Sequence, residues 1–476
     1  MFAKSMESYQ ASLSKSIALH GTRDHKDIAT ILSRIGAVAQ NLGRLDDALT
    51  YLNDSLEIYI KLYSTRRHIS VAFVLNCLGE VTRQQGQHQL ALSYFQESLD
   101  ISTEAHSSRL NIDVARVLNN MGSLAHDQGQ LDAAFAYLSE SLDIKTQVYG
   151  THEHPSVTKS LTNLGNVLLS KGDPAQALKC YAEDLEMTTK LYGTRLHPDI
   201  AQILNNMGAA ASELSCFDAA QRYYQEALDI KIKIYGTRNH ADVASTLNNM
   251  GVLAAETNNL EEALRYFQED LEITTALHGS RIHADTAASL NNLGALARDI
   301  GHLDQSLRYF RESLDVSIAI HGTRIHPDIA QTLSNMGAVA YDQRDLCQAH
   351  TLLCEALEAF NQIHNGQPHR EIIVVLNCLG LVASAQGNHE ESSQYYEQLV
   401  HMRIEIFNSR KHPQVALALG YLGAAEEAAG HLESALRHYR ESLEILRDGL
   451  ANPEHPLVRA AVDAVTRTEE KLTQQS

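Results

Sequence analysis

The chain has 476 residues and a formal net charge of −19. A phosphate backbone needs concentrated Lys and Arg, so this balance excludes nucleic acid as an expected partner. No apolar run approaches the roughly 18 residues of a membrane span, so no membrane insertion is expected. Met1 to Glu7 lacks the charged-then-apolar order of a signal peptide. The six cysteines show no C-x-x-C spacing, which argues against a zinc framework or a disulfide scaffold. A reducing, cytoplasmic location without metal or cofactor is the expectation.

Length alone suggests about three globular domains, but an internal period overrides it. Gly36, Gly79, Gly122, Gly165, Gly208, Gly251, Gly294, Gly337, Gly380 and Gly423 follow one another at a constant 43 residues. A fixed period of this size means stacked repeats, each burying its apolar face against the next. Ahead of the first glycine, Ser12-Leu13 and Ile17 align with Ser313-Leu314 and Ile318. Residues 1–19 are therefore expected to be the second helix of an incomplete unit, or a cap. Ten repeats should follow over 20–452.

With the glycine as position zero, Leu stands at −4 in every unit, from Leu32 to Leu419. Leu, Met or Ile follows at −1, and Ala is usual at +3. Together they form one stripe of a 3.6-residue helix. A mid-helix glycine costs about 1 kcal/mol against alanine, so its recurrence calls for a neighbour pressed against it. Gly43, Gly86, Gly129 and their equivalents at +7 are helix stops. The second helix carries Ala at +12, a large apolar residue at +16 and Leu at +20. A link such as Tyr192-Gly193-Thr194-Arg195 then leads to His197-Pro198-Asp199, with proline suited to a first helical turn. After Pro453 and Pro456, residues 453–476 are expected to form a charged capping helix.

The glycine-to-alanine register and the aromatic four residues later resemble the tetratricopeptide repeat. The expected fold is all-α, a right-handed superhelical solenoid of about ten helix-turn-helix units. First helices would line its concave groove and second helices its convex face. In that frame the −3 asparagines, Asn76, Asn119, Asn205, Asn248 and Asn291, are assigned to the groove, where an amide can pair with an extended peptide. The −2 asparagines are assigned to contacts between repeats. Arg83, Arg116, Lys159 and Arg298 are candidate attractors for acidic groups on a ligand, although acids at +5 dilute them.

Histidines recur at −11, one per unit. Single residues spaced a helix diameter apart do not make a metal site, so each is expected to satisfy backbone groups where a helix begins. Arginines at −13 (Arg66, Arg195, Arg281 and others) suit the carbonyls of a helix C-terminus. Acids at +18 and +21 read as a solvated outer stripe. The marked break in the pattern, residues 345–368, reads as an altered joint.

His197-Pro198-Asp199-Ile200-Ala201 followed by Leu204-Asn205-Asn206-Met207-Gly208, and its counterpart from His326 to Gly337, resemble the repeats of kinesin light chains. That resemblance implies a groove capturing short peptides of partner proteins, with Asn119, Asn205, Asn248 and Asn291 as the first contacts. The a/d heptad run that accompanies these repeats in light chains is not seen in this sequence, so a motor subunit is not the expected reading. A non-catalytic, peptide-binding scaffold or adaptor is the leading expectation. The alternatives are a regulatory repeat region of a larger signalling protein and a solenoid that self-assembles end to end instead of staying monomeric.

Overall fold

The computed structural model describes residues 2–151, 153–279, 282–450 and 455–475. Arg281 and Pro453 lie outside the described residues. Among those residues the chain is 22 α-helices with no strand, dividing into two units, Met1–Gly236 and Thr237–Ser476.

The first unit opens with α1 (Phe2–His20) and continues with five helix pairs. These are α2 (Lys26–Asn41) with α3 (Leu45–Tyr63), α4 (Ile69–Gln84) with α5 (His88–His106), and α6 (Ile112–Asp127) with α7 (Leu131–Tyr149). Then come α8 (Pro155–Ser170) with α9 (Pro174–Tyr192), and α10 (Pro198–Glu213) with α11 (Phe217–Tyr235). In the second unit α12 (Ala241–Glu256) pairs with α13 (Leu260–His278), and α14 (Ala284–Ile300) with α15 (Leu303–His321). Next are α16 (Pro327–Asp342) with α17 (Leu346–Ile363), α18 (Arg370–Ala385) with α19 (His389–Phe407), and α20 (Pro413–Ala429) with α21 (Leu432–Gly449). The last helix, α22 (Pro456–Gln475), packs on α21.

Each pair is held by the zero glycine. A Cβ added there would lie only 2.5–2.9 Å from the +16 side chain in all ten repeats, Phe95 against Gly79 and Tyr224 against Gly208 being two of them. The glycine is therefore the floor on which the second helix rests, and this outweighs its poor helix propensity. The −4 leucines and the +12 residues are buried around it. Where +12 is serine, its hydroxyl donates to the carbonyl of that glycine, Ser306 to Gly294 at 2.6 Å and Ser392 to Gly380 at 2.8 Å. A second clamp is the +19 serine. Ser55, Ser98, Ser141, Ser313 and Ser442 each donate to the −7 alanine carbonyl of their own first helix at 2.6–2.8 Å.

The links are as regular as the helices. Each −11 histidine starts a helix, its Nδ1 accepting the backbone N–H two residues on, as His197 does from Asp199 at 3.2 Å. Asn111 does the same through its side-chain oxygen at 2.8 Å. The histidine also stacks on the ring five residues before it. Tyr192 covers His197 at 3.5 Å between centroids, and His321 covers His326 at 3.4 Å. The irregular stretch 345–368 keeps this joint, with His364 on His369 at 3.7 Å.

The −13 arginines do not serve helix carbonyls in the way the sequence suggested. Described ones reach instead the +18 acid of their own repeat, Arg66 to Glu97 at 2.5 Å, Arg195 to Glu226 at 2.8 Å and Arg410 to Glu441 at 2.5 Å. The acidic outer stripe is thus partly neutralised. Arg467 of α22 likewise turns inward and, with Lys471 and Tyr439, encloses the Glu427 carboxylate at 2.8–2.9 Å. The Arg467 bonds in particular hold that carboxyl down at about 2.

Candidate functional site: sockets between successive repeats

Where two first helices diverge over a second helix, a crevice opens, and it recurs in the same register along each unit. Its walls come from positions −10, −7, −6 and −3 of one first helix and −9, −6 and −5 of the next. Its floor is set by +19 and +23 of the second helix between them. One such socket, of about 40 Å³, lies between α4, α5 and α6 and is lined by Phe73, Asn76, Ser98 and Arg116. Another, of about 420 Å³, lies between α8, α9 and α10, with Lys159, Thr162, Asp184, Thr188 and Asp199. In the second unit a socket of about 310 Å³ between α12, α13 and α14 holds Asp242, Asn248, Asp270 and Asp285. The next, of about 450 Å³, has Asn291, Asn292, Asp328 and Asn335 on its walls.

The frame of these sockets is constant and the lining is not. At +19, where serine normally clamps the helix pair, two repeats carry aspartate. Asp184 is 1% exposed and Asp270 is 4% exposed. Asp184 accepts hydrogen bonds from Thr162 and from Thr188, the latter at 2.9 Å. Asp270 accepts one from Ser289 at 2.6 Å. Burial pushes both carboxyls up to about 6, with Asp285 adding to the effect on Asp270. At +23 of α7 the socket floor is a buried Lys145, its ammonium donating to Ser160 at 2.6 Å. Burial, then repulsion from Lys159 and Arg116, brings this amine down to about 8.

The candidate residues read from the sequence fall into three groups. Asn76, Asn119 and Asn205 are buried, and Asn248 and Asn291 half-buried, so the −3 row lies deeper than assigned. These amides sit in the joints. Asn76 accepts from Asn120 at 3.1 Å, Asn119 from Asn163 at 3.4 Å and Asn248 from Asn292 at 2.6 Å. Asn291 donates to Ser313 and Thr332, both at 2.9 Å. The −2 row, assigned to contacts between repeats, makes them, since Asn120, Asn163 and Asn292 are the donors in these bonds, and it is half-buried beside the sockets. The two rows form one ladder, with −3 as its inner rail.

Arg83 and Arg298 bridge repeats outside the sockets. Arg83 pairs with Asp127 and with Glu80 at 2.8 Å, and Arg298 with Asp342 at 2.6 Å. Two of the acids at +5 that seemed to dilute a basic groove, Asp127 and Asp342, are therefore partners of its arginines. Arg116 and Lys159 do reach sockets. Arg116 lies 5.7 Å above the Phe73 ring and 3.1 Å from Asp113. Lys159 is exposed and makes no ion pair among the described residues.

Sequence reasoning missed Lys145, Asp184 and Asp270. A signal was available at +19, where Asp184 and Asp270 interrupt a row mostly of Ser and Ala, whereas +23 is mixed, with Tyr59, Lys145, Lys231 and Phe360 among its residues, and offered none. It missed too that some links carry a second histidine. His20, His25 and Asp27, then His321, His326 and Asp328, and His364, His369 and Glu371 each bring three ligand-type atoms within 4.8 Å. Tyrosine occupies the same stacked place in other links, and Nδ1 of the −11 ring is already bonded to backbone. These clusters are the link joint in histidine form.

The class defined by this architecture is the helix-pair repeat protein. A tetratricopeptide-repeat model matches residues 27–104, 113–190, 199–276, 285–362 and 371–448, and the chain belongs to that family. No curated protein sequence matches it. Among solved structures it is similar to BtubC (BKLC) from P. vanneervenii, at 23% identity and a TM-score of 0.42, covering 50% of this chain and 94% of that one. The apo quorum sensor NprR from B. thuringiensis is similar at 16% identity and a TM-score of 0.49, covering 77% and 99%. A Podosopora anserina chain of nearly identical TPR-like repeats, named for kinesin light chain, is similar at 17% identity and a TM-score of 0.37, covering 44% and 98%. Among the described residues no helix is long and apolar enough to cross a membrane.

Proposed function

We propose that the protein is a non-catalytic interaction scaffold that holds extended segments of partner proteins along the first-helix face, with side chains of the segment entering the sockets. One observation carries this reading. The same crevice recurs at a constant register while its lining changes from Phe73 with Arg116, to Lys159 with Asp184, to Asp242 with Asp270. A constant frame suits the constant spacing of an extended backbone, and a variable lining suits selection among side chains. On this reading the half-buried −2 amides, Asn163, Asn206, Asn292 and Asn335, meet the peptide backbone with the bonding capacity their contacts within the solenoid leave. The −3 amides behind them hold the ladder in place. Tetratricopeptide folds generally mediate protein interactions, which agrees with this reading.

The test is to block the sockets without touching the core. Ser245 and Ala288 are exposed on facing walls of one socket. Peptides selected from a random library on the intact chain should lose affinity when both are replaced by tryptophan. Unchanged affinity for every selected peptide would remove the sockets from the binding face.

A further inference from the structure

The socket floored by Asp270 differs from its sisters in charge. Its lining includes Asp242, Asp270 and Asp285 and no lysine or arginine. The position that carries Phe73, Arg116 or Lys159 in earlier repeats is here Ser245 and Ala288. Asp270 is 4% exposed, and Ser289 donates to its Oδ2 at 2.6 Å. Its Oδ1 has no hydrogen-bond partner among the described residues. Asp242 and Asp285 stand nearer the mouth, at 50% and 57% side-chain exposure, beside the helix-starting His240 and His283 at 3.7 and 3.4 Å.

A carboxylate withdrawn this far from water, with one oxygen bonded and the other open only to the socket, is costly. Stacking does not require it, since five other repeats close the same joint with a serine. A residue that costs stability where a serine would close the joint marks a candidate functional position. The three carboxylates do not converge on one point as ligands of a metal ion would. They are arranged in depth, one at the floor and two at the mouth, with Ala241, Ala244 and Ala288 between them.

We propose that this socket receives the ammonium or guanidinium end of a Lys or Arg side chain projecting from an extended partner segment. The aliphatic stem would run along the alanines and the charged head would bond to the open Asp270 oxygen. The proposal rests on the peptide-binding reading above. The Asp184 socket is not equivalent, because both oxygens of Asp184 already accept threonine hydroxyls and Lys159 stands at its rim.

The experiment is selection of an oriented random library of extended nonapeptides on the immobilised intact chain, in parallel with Asp270→Ser and Asp184→Ser. Both variants restore the serine of other repeats, and thermal melts establish that they are folded. Lys or Arg should be enriched at one library position on the native chain. Asp270→Ser should lower that enrichment roughly tenfold or more, as expected for losing one partner of a buried charge-assisted bond. Asp184→Ser should leave it intact. The preference should also weaken as pH is lowered through about 6, where Asp270, raised by burial and by Asp285, takes up a proton. The other titratable groups around the socket are Asp242, His240 and His283. Selected peptides with no basic preference, or a preference that survives Asp270→Ser, would overturn the socket assignment and leave peptide binding standing. Failure to select any peptide would overturn both.

Discussion

The joint floored by Lys145 and the joint floored by Asp270 are built on one plan and filled in opposite ways. In the first, the Cβ of an alanine at Gly122 would meet Leu138 at 2.6 Å, and in the second one at Gly251 would meet Phe267 at 2.5 Å. The −4 leucines, Leu118 and Leu247, are both 0% exposed. Yet a buried ammonium lies over the floor of one joint, and a buried carboxylate lies under an acidic opening in the other. The difference separates two kinds of residue within one repeat. Those fixed by the period carry the packing, and those that depart from it at +19 and +23 carry charge into places where charge is unfavourable.

If that separation holds, truncating the frame should cost the same in both joints. Leu118→Ala and Leu247→Ala should each destabilise by about 2–5 kcal/mol, read by denaturant melts. Hydrogen exchange should rise in the adjacent helices before distant ones. A clearly unequal pair of costs would mean that socket contents are part of the packing.

The next effect has the opposite sign. Asp270→Ser should stabilise the second unit by on the order of 1–2 kcal/mol at neutral pH. The folded carboxyl sits at about 6, above the ordinary 3.8. Its cost is therefore full above pH 6 or so and relieved as pH falls toward 4. The advantage of the serine variant should shrink over that same window. An advantage independent of pH would mean that shape, not charge, is what the substitution changes.

The frame was legible in the sequence because every repeat states it again. Gly208 needed a neighbour, and Tyr224 is that neighbour; His197 needed a backbone group, and Asp199 supplies it. The site was legible only in part. Helical periodicity places Asn76 or Asn291 around one helix, but burial depends on what two further helices lay over it. Asn291 is covered by Ser313 of its own second helix and Thr332 of the next first helix, which no single-helix projection contains. The second helices were read as outer surface, yet +19 and +23 point into the joints. Burial of Asp270 and Lys145 depends on the next first helix, through Ser289 and Ser160, which a single helix does not reveal.

Lys145 offers the mirror of the Asp270 test. Its folded value, about 8, lies below the ordinary 10.5. The cost is full below about pH 8 and relieved as pH rises toward 10.5. Replacing a buried charge by an apolar side chain of similar length tends to be neutral or stabilising. Lys145→Met should thus gain about 1 kcal/mol at neutral pH, and less above pH 9 or so. Ser160 keeps Asn119 at 3.1 Å as its acceptor, so the variant leaves no orphan hydroxyl.

The smallest contrast concerns the arginines that bridge repeats. Arg83 is 20% exposed and holds two acids, Glu80 and Asp127, whereas Arg298 is 39% exposed and holds Asp342. The Glu80 bonds keep the Arg83 guanidinium well above its ordinary value. Exposed ion pairs are weak and screened by salt, and they gain strength only as they leave water. Arg83→Met should therefore cost about 1 kcal/mol and Arg298→Met less than about 0.5 kcal/mol. In about 1 M salt the Arg298 effect should vanish while part of the Arg83 effect survives. Two equal losses, equally screened, would mean that these bridges are surface charge in both units and that the joints owe their order to the glycine floor and serine clamp alone.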